Sequence, residues 1–260
     1  MNLNLNNKNA LVCGSTAGIG KATAMALAEE GVNVTLIARN EDKLKAVLAE
    51  LPQHRNHSYI VADFSNPETL KTKVSEYVKA NHGFHILVNN TGGPKGGPVF
   101  SAELAEFESA FTQHLKCNHV LAQAVVPFMK KESYGRIVNI ISTSVKQPLD
   151  GLGVSNTIRG AVASWSKTLA NELGGFGITV NNVLPGATGT ERLEEIIKNK
   201  AAKTGVSIDA ASNAMKSAVP AKRFAKPEEI ANAVTFLTSE AASYINGINL
   251  PVDGGRTKSL

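Results

Sequence analysis

The sequence predicts an α/β chain, a doubly wound parallel sheet with helices on both faces, folded as one domain over residues 1–260. Three observations predict it. Short apolar runs alternate with helical patterns along the chain, and the first run enters a glycine turn that opens a helix. No linker, internal repeat, low-complexity run or composition break divides the 260 residues, and 43% hydrophobic content suffices for a substantial core.

Taken in order, Leu3–Asn9 reads as a polar lead-in to the first strand, Ala10-Leu11-Val12-Cys13. The glycine turn is Gly14-Ser15-Thr16-Ala17-Gly18-Ile19-Gly20, and the Ala-rich stretch to Glu30 is the first helix. Such a turn lets backbone N–H groups approach a pyrophosphate, and the positive end of the following helix favours the anion. The Gly-x3-Gly-x-Gly spacing meets the general Rossmann-type fingerprint, Gly-x-Gly-x2-Gly, only in part, so a tightly packed structural turn competes with a dinucleotide site. The second strand, Val34–Ala38, ends at Arg39. A carboxylate there would bond the ribose 2′-OH and repel a 2′-phosphate, whereas a guanidinium attracts the phosphate. Arg39 therefore favours NADP(H), with NAD(H) as the alternative; a solvated arginine is the bland reading, and Ala17 supplies no second basic residue in the loop.

The runs Tyr59–Ala62, Ile86–Asn89, Ile137–Ile141 and Thr179–Leu184 read as buried strands. Right-handed crossovers place their carboxyl ends on one crevice, where Asn89-Asn90, Ser142 and Pro185-Gly186 stand. Long helices are expected over Ser101–Lys130 and Gly153–Gly174, and two more helical stretches between Gly186 and Arg223.

These residues resemble the short-chain dehydrogenase/reductase family over nearly the whole chain. Gly14-x3-Gly18-Ile19-Gly20 is similar to its cofactor loop, Val61-Ala62-Asp63 to its adenine-side aspartate, and Leu87-Val88-Asn89-Asn90-Thr91-Gly92 to its Asn-Asn-Ala-Gly stretch. Asn118 resembles its catalytic-helix asparagine, and Arg136–Ser142 the strand that delivers its catalytic serine. Pro185-Gly186 with Thr190 resembles the nicotinamide-side segment, and Val252-Asp253-Gly254-Gly255 the C-terminal strand signature. The resemblance implies cofactor contacts from Gly14, Ser15, Thr16, Gly18, Ile19, Gly20, Arg39, Asp63, Asn90, Gly92, Arg159, Pro185, Gly186 and Thr190, and a substrate lid at 187–222. In overall sequence the chain resembles the 3-oxoacyl carrier-protein reductases.

The resemblance breaks at one place. The family transfers hydride between a nicotinamide and a carbonyl or alcohol carbon, using a tyrosine acid and a lysine four residues later. Thirteen residues beyond Ser142 this chain has Ser155, and four further on Arg159. The spacing keeps both on one helical face. A serine hydroxyl is far less acidic than a phenol of pKa about 10, and an arginine above about 12 relays no proton. Tyr59, Tyr77, Tyr134 and Tyr244 all lie elsewhere in the sequence. The preferred substitute is electrostatic: Arg159 with the Ser142 and Ser155 hydroxyls polarises the carbonyl oxygen while water supplies the proton. Lys146, Asp150 or His114 as the acid are the alternatives, each with a bland reading as a solvated or packing side chain. Two functions follow: an oxidoreductase with catalytic Asn118, Ser142, Ser155 and Arg159, or a cofactor-binding pseudoenzyme acting as a sensor or inactive oligomer subunit.

The net charge of +5 and pI near 9.1 suit anionic ligands; basic residues are spread along the chain, so no nucleic-acid partner is expected. The polar start and the lack of a long apolar run predict a cytoplasmic protein without a membrane partner. Cys13 and Cys117 read as reduced core residues, and the histidines lack metal-ligand spacing. The expected partners are a small carbonyl or alcohol substrate and further copies of the chain, in a homotetramer.

Overall fold

The computed structural model describes residues 2–259. One parallel sheet of seven strands has the order β3-β2-β1-β4-β5-β6-β7. These are β1 Asn9–Cys13, β2 Asn33–Ala38, β3 Ser58–Val61, β4 Ile86–Asn89, β5 Gly135–Ile140, β6 Ile178–Pro185 and β7 Asn249–Val252. The apolar runs named above all became strands, because residues such as Leu11, Val12, Leu87, Val88, Ile137 and Val138 are covered on both sheet faces. Alternate strand residues serve opposite cores. Val12, Leu36, Val88 and Val138 face one, and Leu11, Ile37, Leu87 and Ile137 face the other.

The first core is closed by α1 (Gly18–Glu29), α2 (Glu41–Glu50) and α9 (Pro227–Thr238), through Ala24, Leu27, Leu44, Ile230 and Val234. On the second face lie α3 (Pro67–Ala80), α5 (Cys117–Lys131) and α6 (Gly153–Leu173), contributing Leu70, Val74, Leu121, Val125 and Leu173. The remaining helices are α4 (Leu104–Phe111), α7 (Glu191–Thr204) and α8 (Ile208–Ser217). Side chains start several of them: Asn40 accepts from Lys43 N at 2.9 Å, Asn66 from Thr69 N at 3.1 Å, and Ser207 from Ala210 N at 3.1 Å. Among the described residues no helix is long and apolar enough to cross a membrane.

The structure departs from expectation in two places. The helix anticipated over Ser101–Lys130 begins at Leu104 and is broken by a π-helical turn, Thr112–Lys116, before α5. Such a turn carries extra backbone per revolution and re-aims the side chains it bears. The N-terminal lead-in is also more than a tether, since Leu5 is buried in the first core and Asn7 N donates to the Gly31 carbonyl oxygen.

An amide ladder crosses the buried half of the sheet. Asn89, Asn139, Asn182 and Asn249 are register partners on β4, β5, β6 and β7. The first three donate Nδ2 to the Oδ1 of the next, at 2.8, 2.9 and 2.8 Å. Asn139 Nδ2 also reaches Ser166 Oγ on α6 at 3.2 Å. The ladder pairs the amides along the row but leaves Asn89 Oδ1, at its β4 end, buried without a partner.

Candidate active site

The strand order reverses between β1 and β4, so the connections leave in opposite directions and open a crevice beyond the carboxyl ends. The glycine turn occupies that point. Gly14 and Gly18 have φ of +58° and +52°, a region that costs other residues a steric penalty. A Cβ on Gly20 would lie 2.1 Å from the Gly14 carbonyl oxygen, so the loop closes on α1 only with glycine there. Ser15 is buried and its Oγ accepts from Ile37 N at 3.1 Å. From β4, Asn90 Nδ2 reaches the Cys13 and Gly14 carbonyl oxygens at 3.3 and 3.4 Å, pinning the loop from across the crevice. Thr16 and Ile19 are half-buried, while Gly92 is exposed and a Cβ there would meet nothing within 4 Å.

Arg39 lies exposed at the end of β2. Asp63 follows β3, and Ser65 N donates to its Oδ1 at 2.8 Å. That bond, the Ser65 side chain and the nearby Arg39 charge hold the Asp63 carboxyl below its ordinary range. Across the crevice, Pro185 ends β6, and Gly186 N donates to the Val252 carbonyl oxygen at 2.9 Å. A Cβ on Gly186 would lie 2.7 Å from Asp253 Cα. Thr190 caps α7, its Oγ1 accepting from Leu193 N at 3.4 Å, and faces the glycine turn, 3.0 Å from where a Gly18 Cβ would stand.

Between these walls lie the polar residues of β5 and α6. Ser142 follows β5, and its Oγ accepts from Ser144 N at 3.1 Å, leaving its proton available to another acceptor. Arg159 is buried, and its Nη1 donates to the Ile140 carbonyl oxygen at 2.9 Å, which ties it to the strand end two residues before Ser142. Burial pushes the guanidinium down to about 10, so it remains charged at neutral pH. Ser155 is half-buried one turn earlier on α6. The Gly/Pro loop after β4 is fastened to the start of α6: Gly97 N donates to the Gly151 carbonyl oxygen at 2.7 Å and Gly153 N to that of Gly97 at 3.0 Å.

The π-helical turn brings His114 into this group. Its Nδ1 and Thr91 Oγ1, beyond β4, are 2.5 Å apart. Burial first, and then the Arg159 charge, push the imidazole down to about 2, so it is neutral and does not titrate as an acid near neutrality. Asn118, one turn further along α5, is buried, but the contact with Thr91 belongs to His114. Sequence periodicity could not separate the two, since i and i+4 share a helical face. A second feature invisible in sequence is Arg192 of α7, which donates from Nη2 to the Pro94 carbonyl oxygen at 3.0 Å. The tyrosines are engaged away from the crevice or solvated: Tyr59 with Glu41, Tyr77 with Thr35 and Ser58, Tyr134 with the Thr238 carbonyl, and Tyr244 in solvent.

Known proteins resemble this chain along nearly its whole length. The family model described as "Enoyl-(Acyl carrier protein) reductase" matches residues 14–257. The NADPH-dependent reductase BacG of Bacillus subtilis is 30% identical, with 98% of this chain and 100% of that protein covered. The 3-oxoacyl-[acyl-carrier-protein] reductase FabG of Staphylococcus epidermidis is 33% identical, covering 96% and 98%. Among solved structures, L-sorbose reductase from Gluconobacter frateurii, complexed with NADPH and L-sorbose, superposes with a TM-score of 0.94 at 31% identity over 100% of both chains.

Proposed function

The chain belongs to the short-chain dehydrogenase/reductase family of oxidoreductases, and we propose that it is an NADP(H)-preferring reductase of a carbonyl substrate with an altered proton-handling site. The observation that carries this reading is the glycine cradle at the strand reversal, where Gly20 excludes even a Cβ and Gly92 leaves open space. Arg39 supports the 2′-phosphorylated cofactor, as do the NADPH-dependent reductase and the NADPH complex among the similar proteins. When bound, NADP(H) supplies the hydride.

The protein's residues do the rest. In this reading Ser155 and Arg159 stand where the family has tyrosine and lysine. Arg159 fixes positive charge where the carbonyl oxygen turns anionic, the Ser142 and Ser155 hydroxyls donate to that oxygen, and water delivers the proton. Pro185, Gly186 and Thr190 form the nicotinamide-side wall. Residues 187–222, carrying α7 and α8, act as a lid latched by Arg192 on Pro94. Exposed apolar residues along the chain leading into α4, Val99, Phe100 and Leu104, with Phe111 at its end, favour assembly into a homotetramer; scattering mass below a dimer rejects that.

A second reading, a cofactor-binding protein without turnover, is favoured by the engaged or solvated tyrosines and the neutral His114. One experiment separates the two. NADPH and NADH are titrated by fluorescence, and NADPH oxidation is then followed over a carbonyl panel that includes 3-oxoacyl thioesters. Selective NADPH binding with turnover supports the reductase, binding without turnover supports the second reading, and no binding rejects both. The double substitution Ser155→Tyr with Arg159→Lys is expected to raise carbonyl reduction; normal binding without gain would sink the aligned-site reading.

A further inference from the structure

His114 is buried beside the crevice, yet the reading above gives it no part in the reaction. Its place is built rather than incidental: the π-helical turn Thr112–Lys116 carries it, and such turns break helical regularity and recur at functional sites. The ring is held between Thr91, just past the carboxyl end of β4, and α6, whose Arg159 charge acts on it. Among the described residues Nδ1 makes the ring's hydrogen bond, with Thr91 Oγ1, and Nε2 makes none. Nε2 is also not one of the polar atoms sealed in the interior without a partner, so it retains a sliver of access. Between Thr91 and Arg159 that access opens on the crevice.

The same pair fixes the tautomer. If Nδ1–H donated to Thr91 Oγ1, the threonine hydrogen would need a second acceptor, and the described residues supply none. Thr91 donating to a bare Nδ1 satisfies both groups and leaves the ring proton on Nε2. We propose that His114 is a catalytic residue, whose Nε2–H donates a hydrogen bond to the substrate oxygen as hydride reaches the carbonyl carbon. The electron pair of the C=O π bond collects on that oxygen beside Arg159, and water protonates it, leaving hydroxide to exchange with solvent. His114 gives up no proton in this step. Burial and the Arg159 charge hold its imidazole neutral, so it is a fixed donor at any working pH. The inference rests on the reductase reading and deepens it, adding a ring donor where Ser155 offers only a short hydroxyl.

The test reads tautomer and turnover separately. NMR of the intact protein saturated with NADP+, with isotopically labelled histidine nitrogens and His114 assigned from the His114→Gln spectrum, should show Nε2 protonated and Nδ1 bare from about pH 6 to 8. In NADPH oxidation with a carbonyl that turns over, His114→Leu should lower kcat about a hundredfold, with KM and NADPH affinity within about threefold of wild type. His114→Gln keeps an amide N–H and should recover part of that loss. Thr91→Val leaves the histidine in place, and should lower kcat about tenfold while the Nδ1–H tautomer appears. An Nδ1–H tautomer or a doubly protonated ring in the wild-type protein, or an unchanged kcat in His114→Leu, overturns the assignment and leaves the reductase reading standing. If His114→Leu does not fold, Thr91→Val decides in its place, and an unchanged kcat there overturns the proposal. Wild-type protein that reduces no carbonyl removes the reductase reading, and the catalytic assignment with it.

Discussion

Two arginines are buried at opposite ends of the same sheet, and they are treated differently. Arg136, at the amino end of β5, gives Nε to the Ser239 carbonyl oxygen at 3.3 Å and Nη1 to those of Gly135 and Gly177 at 2.7 and 3.0 Å. Its guanidinium also lies 4.2 Å from the centre of the Tyr134 ring. Arg159, beside the carboxyl end of the same strand, has among the described residues the Ile140 carbonyl alone. Burial lowers both, but the Tyr134 and Glu240 charges push Arg136 back up, and nothing does so for Arg159. One end of the sheet is finished by its own side chains. The other is left electrostatically incomplete, which is how a fold marks the end that meets a ligand.

The contrast is most sharply tested by giving both arginines the same change. Arg159→Met should remove an unpaired charge, leaving stability within about 1 kcal/mol of wild type or higher, while any NADPH-dependent reduction falls by about a hundredfold or more. Arg136→Met should instead cost about 2–3 kcal/mol, because three carbonyl acceptors lose their donor, with turnover per folded molecule little changed. Urea midpoints and specific activity decide it, and equal destabilisation of both variants would break the comparison. Next in size is Gly20→Ala. In an ordinary helix this change stabilises, but here the added methyl meets the Gly14 carbonyl oxygen, so a loss of about 1–3 kcal/mol and weakened NADPH binding are expected. A raised melting temperature with normal binding would show that the loop is less constrained than its geometry indicates.

Smaller effects follow. Arg39→Asp should shift the ratio of NADPH to NADH affinity by roughly tenfold or more toward NADH, and an unmoved ratio would place the selectivity elsewhere. Both ends of the sheet contribute to the pH dependence, the amino end through His85 and the crevice through His114. His85 Nδ1 accepts from Asn9 N at 3.0 Å, and burial, with Lys8 adding to it, pushes the imidazole down from 6.5 to about 4. The unfolded chain then binds more protons between those values, so this contribution is complete above about 6.5 and is lost as pH falls toward 4. His114 extends the loss to about 2. His85→Gln should lessen the slope of stability between pH 6.5 and 4 while the His114 share remains, and an unchanged slope in chemical denaturation would assign that window to other groups.

Most of the sheet was legible because its strands are short apolar runs separated by helical patterns, and burial on both faces rewards such runs. The carboxyl-end crevice was legible for the same reason, as Asn90, Ser142 and Pro185 each follow a run. The π-helical turn was not, because Thr112–Lys116 is as good a helical sequence as its neighbours and only packing selects the wider turn. With it went the placing of His114 against Thr91, one turn before Asn118. Leu5 escaped notice among asparagines because a single apolar residue has no period. Ser155 and Arg159 could be placed on α6 from their spacing, but that Arg159 lacks a carboxylate is a property of the surrounding elements, which no local pattern contains.

The asparagines of β4 to β7 bear on how the chain finds its pairing. The aliphatic residues of β5 and β6 by themselves offer little to penalise a slip along one another, since one valine or isoleucine replaces the next at small cost. Asn89, Asn139, Asn182 and Asn249 change that, because a shift of any one strand strands several amides in an apolar interior without partners. The row thus acts as an alignment key, readable only when four separate segments of the chain have arrived in step. A protein with that key replaced by valines could gain stability and still fold more slowly, caught among near-equivalent sheets that the asparagines rule out.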